Sequence, residues 1–223
     1  MTKKEEWLAG TRSAVPIMLG YVPVGIAYGV MARQAGLNTW QTVLMSLTVY
    51  GGASEMMAAG MVAQGAAVLT IVLTTFILNL RHIIMSTCVF NQMQGGRLPV
   101  RMLAAFGVTD ETFAVYTTTA NAPRTPRYFF SMALCSYLSW ALGSWLGAIA
   151  TGLLPPLITA ALGISLYAMF IGLLMPGLHG NGRLAALVVL TALCNTVLCN
   201  VVQLDSGWSM ILSTLGCAAL GSF

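Results

Sequence analysis

The sequence predicts an all-α membrane protein, a polytopic bundle of about seven transmembrane helices. Of its 223 residues, 57% are hydrophobic and only 7% are charged, whereas a soluble domain carries about 25% charged residues. Uncharged runs of about 20 residues, the length that crosses a bilayer as a helix, recur along the whole chain. These runs are continuously apolar and do not show the alternating polarity of transmembrane β-strands.

The predicted spans follow from the distances between charged residues. The first run begins after Lys3, Lys4 and Arg12, and a basic start of this kind is shared by secretory signal peptides. We expect this run to remain as the first helix, because it contains Pro16 and Pro23 and many more runs follow it. The uncharged runs are Val15–Ala32, Gln34–Ser54, Met56–Leu80, Tyr128–Gly182, Leu184–Leu204 and Ser206–Phe223.

Two stretches leave the number of spans open. The run Tyr128–Gly182 is long enough for two spans joined at Pro155-Pro156. The segment Met102–Ala120 is a candidate for an eighth span. No linker or low-complexity stretch interrupts the chain, so we expect residues 1–223 to form a single integral membrane domain.

A polar pattern recurs 121 positions apart, which predicts two related halves. Thr75 and Asn79 correspond to Thr196 and Asn200, and each pair lies on one face of a helix. Many transporters consist of two such halves with the substrate site between them, although polar residues in membrane helices also simply bond neighbouring helices. The expected parts are a first repeat at about 14–90, a connecting segment at 91–126, and a second repeat with a C-terminal span at about 127–223.

Glu55 follows Gly51-Gly52 in the middle of a long apolar stretch. Adjacent glycines are poor helix formers, so we predict a discontinuous helix here, whose freed backbone groups bind substrate. The carboxyl then lies within the membrane, where ionisable groups are costly and functional, and it is a candidate for proton coupling. The alternative is that Glu55 caps the next helix at the membrane surface.

Arg81 and His82 end the uncharged run Met56–Leu80. One interpretation places Arg81 at a span terminus, where it reaches the lipid headgroups. The other pairs Arg81 with Glu55 or with a substrate carboxylate. His82 belongs to a residue type that titrates near physiological pH, so it is a second candidate for coupling.

Asp110 and Glu111 have two interpretations. They follow Thr109 and are expected to be acids in the first turn of a helix that Thr109 caps. Their place in the apolar segment Ala104–Tyr116 makes a role in gating or ion coupling the alternative.

Several classes of function are disfavoured. The net charge of +4 is small and gathered at the ends of the runs, which indicates anchoring at the membrane surface and gives no reason to expect nucleic-acid binding. The five cysteines include no C-x-x-C pair, so we expect no metal site and no cofactor. Signatures of metalloproteases, P-loop enzymes and serine hydrolases are missing, so we do not expect an enzyme.

Four segments, in this order, resemble the AzlC family of branched-chain amino-acid exporters: Gly20–Gly29, Val49–Met57, Asn79–His82 and Thr109–Ala114. The Asn-Leu-Arg-His and Thr-Asp-Glu elements are the most specific of them. The resemblance implies glutamine in many members at the position of Glu55, so an acid there is a departure that bears on coupling or substrate preference.

The resemblance implies a multi-pass transporter of the cell inner membrane that exports leucine, isoleucine, valine and methionine. It also implies a small hydrophobic AzlD-type partner subunit. In the expected mechanism of alternating access, the glycine break and the two polar stripes bind the polar ends of the amino acid. The alternative is a structural or regulatory membrane subunit that transports nothing itself, while a passive pore is disfavoured by the scarcity of polar lining residues.

Overall fold

The computed structural model describes residues 2–119, 122–153, 155, 157–158, 161, 164, 171, 175, 178–204 and 206–221. Every regular element within these ranges is an α-helix, which confirms the all-α prediction. The helices are α1 (Lys3–Gln34), α2 (Thr39–Val49), α3 (Gly52–Ala63), α4 (Val68–Asn79), α5 (Arg81–Gln92), α6 (Leu98–Phe106), α7 (Asp110–Thr118), α8 (Pro126–Ala150), α9 (Gly182–Asn200) and α10 (Ser206–Gly221).

Four stretches among the described residues are long and apolar enough to cross a membrane. They are α1, the continuous stretch Val68–Gln92 formed by α4 and α5, α8, and α9. Together they confirm an α-helical membrane bundle. The second span predicted between Tyr128 and Gly182, with Pro156 of its expected junction, lies largely outside the described residues, so the predicted total of about seven spans stays a prediction.

Three expected span boundaries are wrong. The run Met56–Leu80 is divided by a turn at residues 64–67, where Gly65 adopts φ +69°. The run Gln34–Ser54 contains α2, which at 11 residues is about 16 Å long and too short to cross a bilayer. The candidate eighth span Met102–Ala120 covers the end of α6, a turn at residues 107–109 and α7. Charge spacing missed these breaks because the turn residues are uncharged.

Helices α1 and α8 form the centre of the bundle through a glycine seam, which consists of Gly25 and Gly29 on α1 and Gly143 and Gly147 on α8. A Cβ atom added at Gly25 would lie 3.0 Å from a backbone oxygen of α8, and one added at Gly143 would lie 2.7 Å from a backbone oxygen of α1. Small residues of this kind let two membrane helices approach backbone to backbone. The seam therefore makes α1 and α8 one rigid unit.

Hydrogen bonds fasten α2 to this unit. The Tyr28 hydroxyl on α1 donates to the carbonyl oxygen of Thr42 at 3.1 Å. Ser46 and Ser144 share a buried hydrogen bond of 2.9 Å between α2 and α8. Buried hydroxyl groups are costly without partners, so these bonds specify where α2 lies. The chain that follows α2 is thereby held against α8.

Candidate functional site

The helix break lies where the glycine pair predicted it. Helix α2 ends at Val49, and Tyr50 adopts a left-handed conformation with φ 46° and ψ 51°. Gly51 is extended, and α3 begins at Gly52. A Cβ atom at Gly52 would lie 2.8 Å from the Trp140 ring, so only glycine fits there without displacing the indole. The backbone groups of Gly51 at this break are satisfied within the protein, the N–H by Glu55 and the carbonyl oxygen by Ser54.

Glu55 is a buried acid in the first turn of α3. It accepts a hydrogen bond from the backbone N–H of Gly51 at 2.9 Å. It is also fully buried, with 0% of its surface exposed. The indole N–H of Trp140 donates to its two carboxyl oxygens at 3.2 and 3.3 Å. Within the described part of the chain, Glu55 forms no salt bridge.

Arg81 pairs with Asp110, and the expected Arg81–Glu55 pair does not form. The Arg81 Nη1 atom lies 3.1 Å from Asp110 Oδ2, and the two side chains are 37% and 29% exposed. Arg81 and His82 lie inside the stretch Val68–Gln92, which is long and apolar enough to form one span. The interpretation of Arg81 as a span terminus stays a prediction.

The helix tightens immediately before Arg81. The N–H of Leu80 bonds to the carbonyl oxygen of Ile77 at 3.2 Å, and the N–H of Ile83 bonds to that of Leu80 at 3.0 Å. Bonds of this i to i−3 type are those of a 3₁₀ turn, which within a longer helix often marks a hinge. Arg81 and His82 thus follow a local irregularity.

Glu111 contacts α1 through Tyr21. The Tyr21 hydroxyl donates to Glu111 Oε2 at 2.7 Å and shares a second bond of 2.7 Å with the Thr109 hydroxyl. Thr109 caps α7 by accepting a hydrogen bond from the N–H of Thr112 at 3.3 Å. Asp110 and Glu111 therefore occupy the first turn of α7, as the capping interpretation predicted, and both also face a cavity.

The cavity lies where the break, α1, α5, α7 and α8 meet, and its volume is about 20 Å³, which is room for about one water molecule. It brings together six of the predicted site residues, namely Gly51, Gly52, Arg81, His82, Asp110 and Glu111. Tyr21, Tyr50, Ala53, Thr109 and Trp140 complete its lining. Two acids, a guanidinium, an imidazole and three aromatic rings thus share one small space.

Asn79 lies beside the break, and Thr75 is half-buried on α4. A Cβ atom at Gly51 would lie 3.4 Å from Asn79 Oδ1. This oxygen is buried and has no hydrogen-bond partner among the described residues. Asn79 is therefore close enough to the glycine pair to contribute to the same site.

The second polar stripe lies elsewhere. Thr196 and Asn200 are exposed on α9, and the Thr196 hydroxyl bonds within its own helix to the carbonyl oxygen of Ala192 at 2.8 Å. Neither residue lines the cavity. The structure thus does not bring the two stripes together, and the role predicted for Thr196 and Asn200 stays a prediction.

The sequence reasoning missed Tyr21, Tyr50, Thr109 and Trp140 as cavity residues. Tyr21, Tyr50 and Thr109 lie in the segments that carry the family resemblance, and that position could have marked them as candidate site residues. Trp140 stands in a continuously apolar run and offered none. Among the residues that the structure describes, no group of three His, Cys, Asp or Glu side chains is arranged to hold a metal ion.

Comparison with known proteins places the chain among membrane proteins. An uncharacterized membrane protein of Archaeoglobus fulgidus is 33% identical over 83% of this chain and 82% of its own length. The inner membrane protein YgaZ of Escherichia coli K12 is 30% identical over 76% of this chain and 72% of its own length.

The branched-chain amino acid transport protein AzlC of Bacillus subtilis 168 is 27% identical over 67% of this chain and 61% of its own length. No solved structure gives a significant match. A family model described as AzlC protein matches residues 16–154, a range that contains every residue lining the cavity. The chain therefore belongs to the AzlC family.

Proposed function

We propose that the chain is the large permease subunit of an exporter for branched-chain and similar apolar amino acids, namely leucine, isoleucine, valine and methionine. It would act by alternating access in the cell inner membrane. Family membership and the printed name of the Bacillus subtilis relative support transport as the class of function. The observation that carries the proposal is the Arg81–Asp110 pair at the edge of the cavity.

This ion pair complements a zwitterion. Arg81 and Asp110 neutralise each other at 3.1 Å. An α-amino acid carries one carboxylate and one ammonium group, so it can exchange partners with the pair. The carboxylate then binds the Arg81 guanidinium in a charge-assisted hydrogen bond, and Asp110 receives the ammonium. Charge is balanced before and after, which lowers the cost of burying the ligand.

The other walls suit an apolar side chain. Trp140 and Tyr21 pack edge to face, with ring centroids 5.4 Å apart, and they present aromatic surface to the cavity. Polar groups that fix orientation within mostly apolar walls are typical of small-molecule sites. Asn79 and the glycine pair would contribute amide and backbone groups to the polar ends, as predicted from the sequence.

Alternating access would divide the bundle into a fixed and a moving part. The glycine seam between α1 and α8 forms the fixed part, and the tightened turn at Leu80 supplies a pivot beside Arg81. Movement at this pivot would carry Arg81 and His82 relative to α7. Asp110 and Glu111 would then act as the gate, because they face these residues across the cavity.

Proton coupling is proposed for Glu55, with His82 as the second candidate. Glu55 is fully buried, and among the described residues it receives hydrogen bonds from the neutral groups of Gly51 and Trp140 alone. A buried carboxyl without a counter-ion is suited to carry a proton between two conformations. A small hydrophobic AzlD-type subunit is proposed as the partner, on the strength of family membership.

Reconstitution tests the proposal. The chain is placed in vesicles loaded with labelled leucine, with and without a small partner subunit, and a proton gradient is imposed. We expect leucine efflux that the gradient accelerates. No efflux in either arrangement would overturn the exporter proposal and favour a non-transporting subunit. Efflux that does not respond to the gradient would overturn only the proposed proton coupling.

A further inference from the structure

Tyr50 has a backbone conformation that its residue type disfavours. Its φ of 46° places it in the left-handed region, where residues other than glycine are uncommon and aromatic ones are strained. The next two residues are both glycine, yet the left-handed position itself is occupied by tyrosine. The cost of this backbone conformation suggests that the tyrosine side chain has a function at this position.

Packing explains the ring of Tyr50 but not its hydroxyl. The ring lies edge to face with Tyr137 at a centroid distance of 4.9 Å and stacks near Phe106 at 6.2 Å. Phenylalanine would make both contacts equally well. The hydroxyl is buried and makes no hydrogen bond of normal geometry among the described residues. Its nearest polar neighbour is the Tyr21 hydroxyl, which already bonds to Thr109 and Glu111. Buried polar groups are nearly always satisfied, so an exception needs an explanation.

Other tyrosines near the site show what a structural hydroxyl looks like in this protein. The Tyr28 hydroxyl donates to a backbone carbonyl at 3.1 Å, and that of Tyr137 does so at 2.7 Å. The Tyr21 hydroxyl bonds to both Thr109 and Glu111. Tyr50 lines the same cavity, but its hydroxyl makes no hydrogen bond of normal geometry among the described residues, so it can donate to a ligand.

We propose that the Tyr50 hydroxyl donates a hydrogen bond to the carboxylate of the transported amino acid, which also binds the Arg81 guanidinium that lines the same cavity. This inference rests on the proposed function. The chemistry of the lining favours this end of the ligand: Asp110 and Glu111 already offer acceptors for an ammonium group, whereas Arg81 is the only guanidinium that lines the cavity among the described residues. A neutral donor next to a cation completes a carboxylate site.

A second buried atom fits the same arrangement. The Arg81 Nε atom has no hydrogen-bond partner among the described residues, although Nη1 of the same guanidinium is paired with Asp110. The free Nε–H and the Tyr50 O–H are both donors. Tyr50 and Arg81 both line the cavity, and the two oxygen atoms of a carboxylate can accept from two such donors.

The test compares Tyr50→Phe with Tyr28→Phe as a matched control, since both tyrosines are buried but only Tyr28 has a bonded hydroxyl. The purified full-length chain in detergent is titrated with leucine and with leucinamide, which keeps the ammonium group and lacks the carboxylate. Thermal melting is measured on the same samples. The deciding quantity is the ratio of the two dissociation constants for each variant.

We expect Tyr50→Phe to weaken leucine binding by about tenfold or more while leucinamide binding changes little, because a hydrogen bond to a charged group is lost. Its melting temperature should be equal to or above that of the wild type, since an unsatisfied buried hydroxyl is removed. Tyr28→Phe should show the opposite pattern, with a lower melting temperature and an unchanged ratio.

The outcomes separate the two proposals. An unchanged ratio in Tyr50→Phe, with leucine still bound by the wild type, overturns this inference alone. An equal loss of leucine and leucinamide binding also overturns it, because the hydroxyl would then not discriminate the carboxylate. Absence of leucine binding by the wild type, in detergent and in transport vesicles, overturns the proposed function and this inference with it.

Discussion

The indole N–H of Trp140 donates to the carboxyl group of Glu55 at 3.2 Å, across 85 residues of sequence. This bond ties the first turn of α3 to the middle of α8. It also makes Glu55 a buried acid whose described partners are all neutral. The local geometry of the helix break therefore depends on α8 as well as on the glycine pair.

Replacing Glu55 by glutamine should separate coupling from folding. Glutamine keeps an oxygen that accepts from Gly51, so the chain is expected to fold and to exchange labelled for unlabelled leucine across vesicles without a gradient. Acceleration of efflux by a proton gradient should be lost, because the amide cannot carry a proton. The control is Glu5→Gln, an exposed acid in the first turn of α1. Full gradient acceleration in Glu55→Gln would assign coupling to another group.

Removal of the indole donor should destabilise the protein. Trp140→Phe leaves the buried Glu55 carboxyl with only its backbone partner, and we expect a loss of about 1–3 kcal/mol in the free energy of unfolding. Trp145→Phe is the matched control, because Trp145 lies on the same helix and is 45% exposed. Denaturation in detergent, followed by far-UV circular dichroism, measures both. Equal stability of the two variants would contradict a structural role for the Trp140–Glu55 bond.

The Arg81–Asp110 pair should matter for binding much more than for stability. Both side chains are about a third exposed, and the coupling energy of such a pair is below about 1 kcal/mol. Arg81→Gln is nevertheless expected to weaken leucine binding by about tenfold or more, since a charge-assisted bond to the carboxylate is lost.

A double-mutant cycle with Asp110→Asn measures the stability coupling, and isothermal titration with leucine measures binding. Arg97→Gln serves as a control, because Arg97 lies outside the cavity. If Arg81→Gln binds leucine as the wild type does, the guanidinium does not hold the carboxylate.

Alanine substitutions at two glycines of α1 should change the stability of the protein in opposite directions. A Cβ atom at Gly25 meets α8 backbone at 3.0 Å, whereas one at Gly20 has no atom outside its own helix within 4 Å among those described. Gly25→Ala is therefore expected to destabilise by about 1–3 kcal/mol. Gly20→Ala should be neutral or stabilise by up to about 1 kcal/mol. Melting temperatures in one detergent test the pair, and similar shifts for both would argue against close contact along the seam.

Composition and glycine chemistry were sufficient to predict the membrane bundle and the helix break. The break was predictable because Gly51-Gly52 determines it locally. The partner of Arg81 was not, because Asp110 lies on a different helix and nothing in the sequence chooses between two acids. Span boundaries failed for a similar reason: the turn at Gly65 carries no charge, and charge spacing was the criterion.

Trp140 illustrates the other limit of sequence reasoning. The Trp140 side chain is apolar except for its indole N–H. The hydrogen bond from this N–H to Glu55 can be recognised only in the structure, where α8 packs against the break. The predicted correspondence between the two polar stripes is a different case. Thr196 and Asn200 lie on α9, away from the cavity, so the repeat that they suggest must be tested by other means.

The glycine seam also has a consequence for biosynthesis. A ribosome completes α1 more than a hundred residues before it completes the helix against which Gly25 and Gly29 pack. The segments made in between include α2, α3, α6 and α7, none of which is long enough to hold a place in the bilayer by itself. The final positions of these short helices therefore depend on packing against α1 and α8, and α8 is complete only at residue 150.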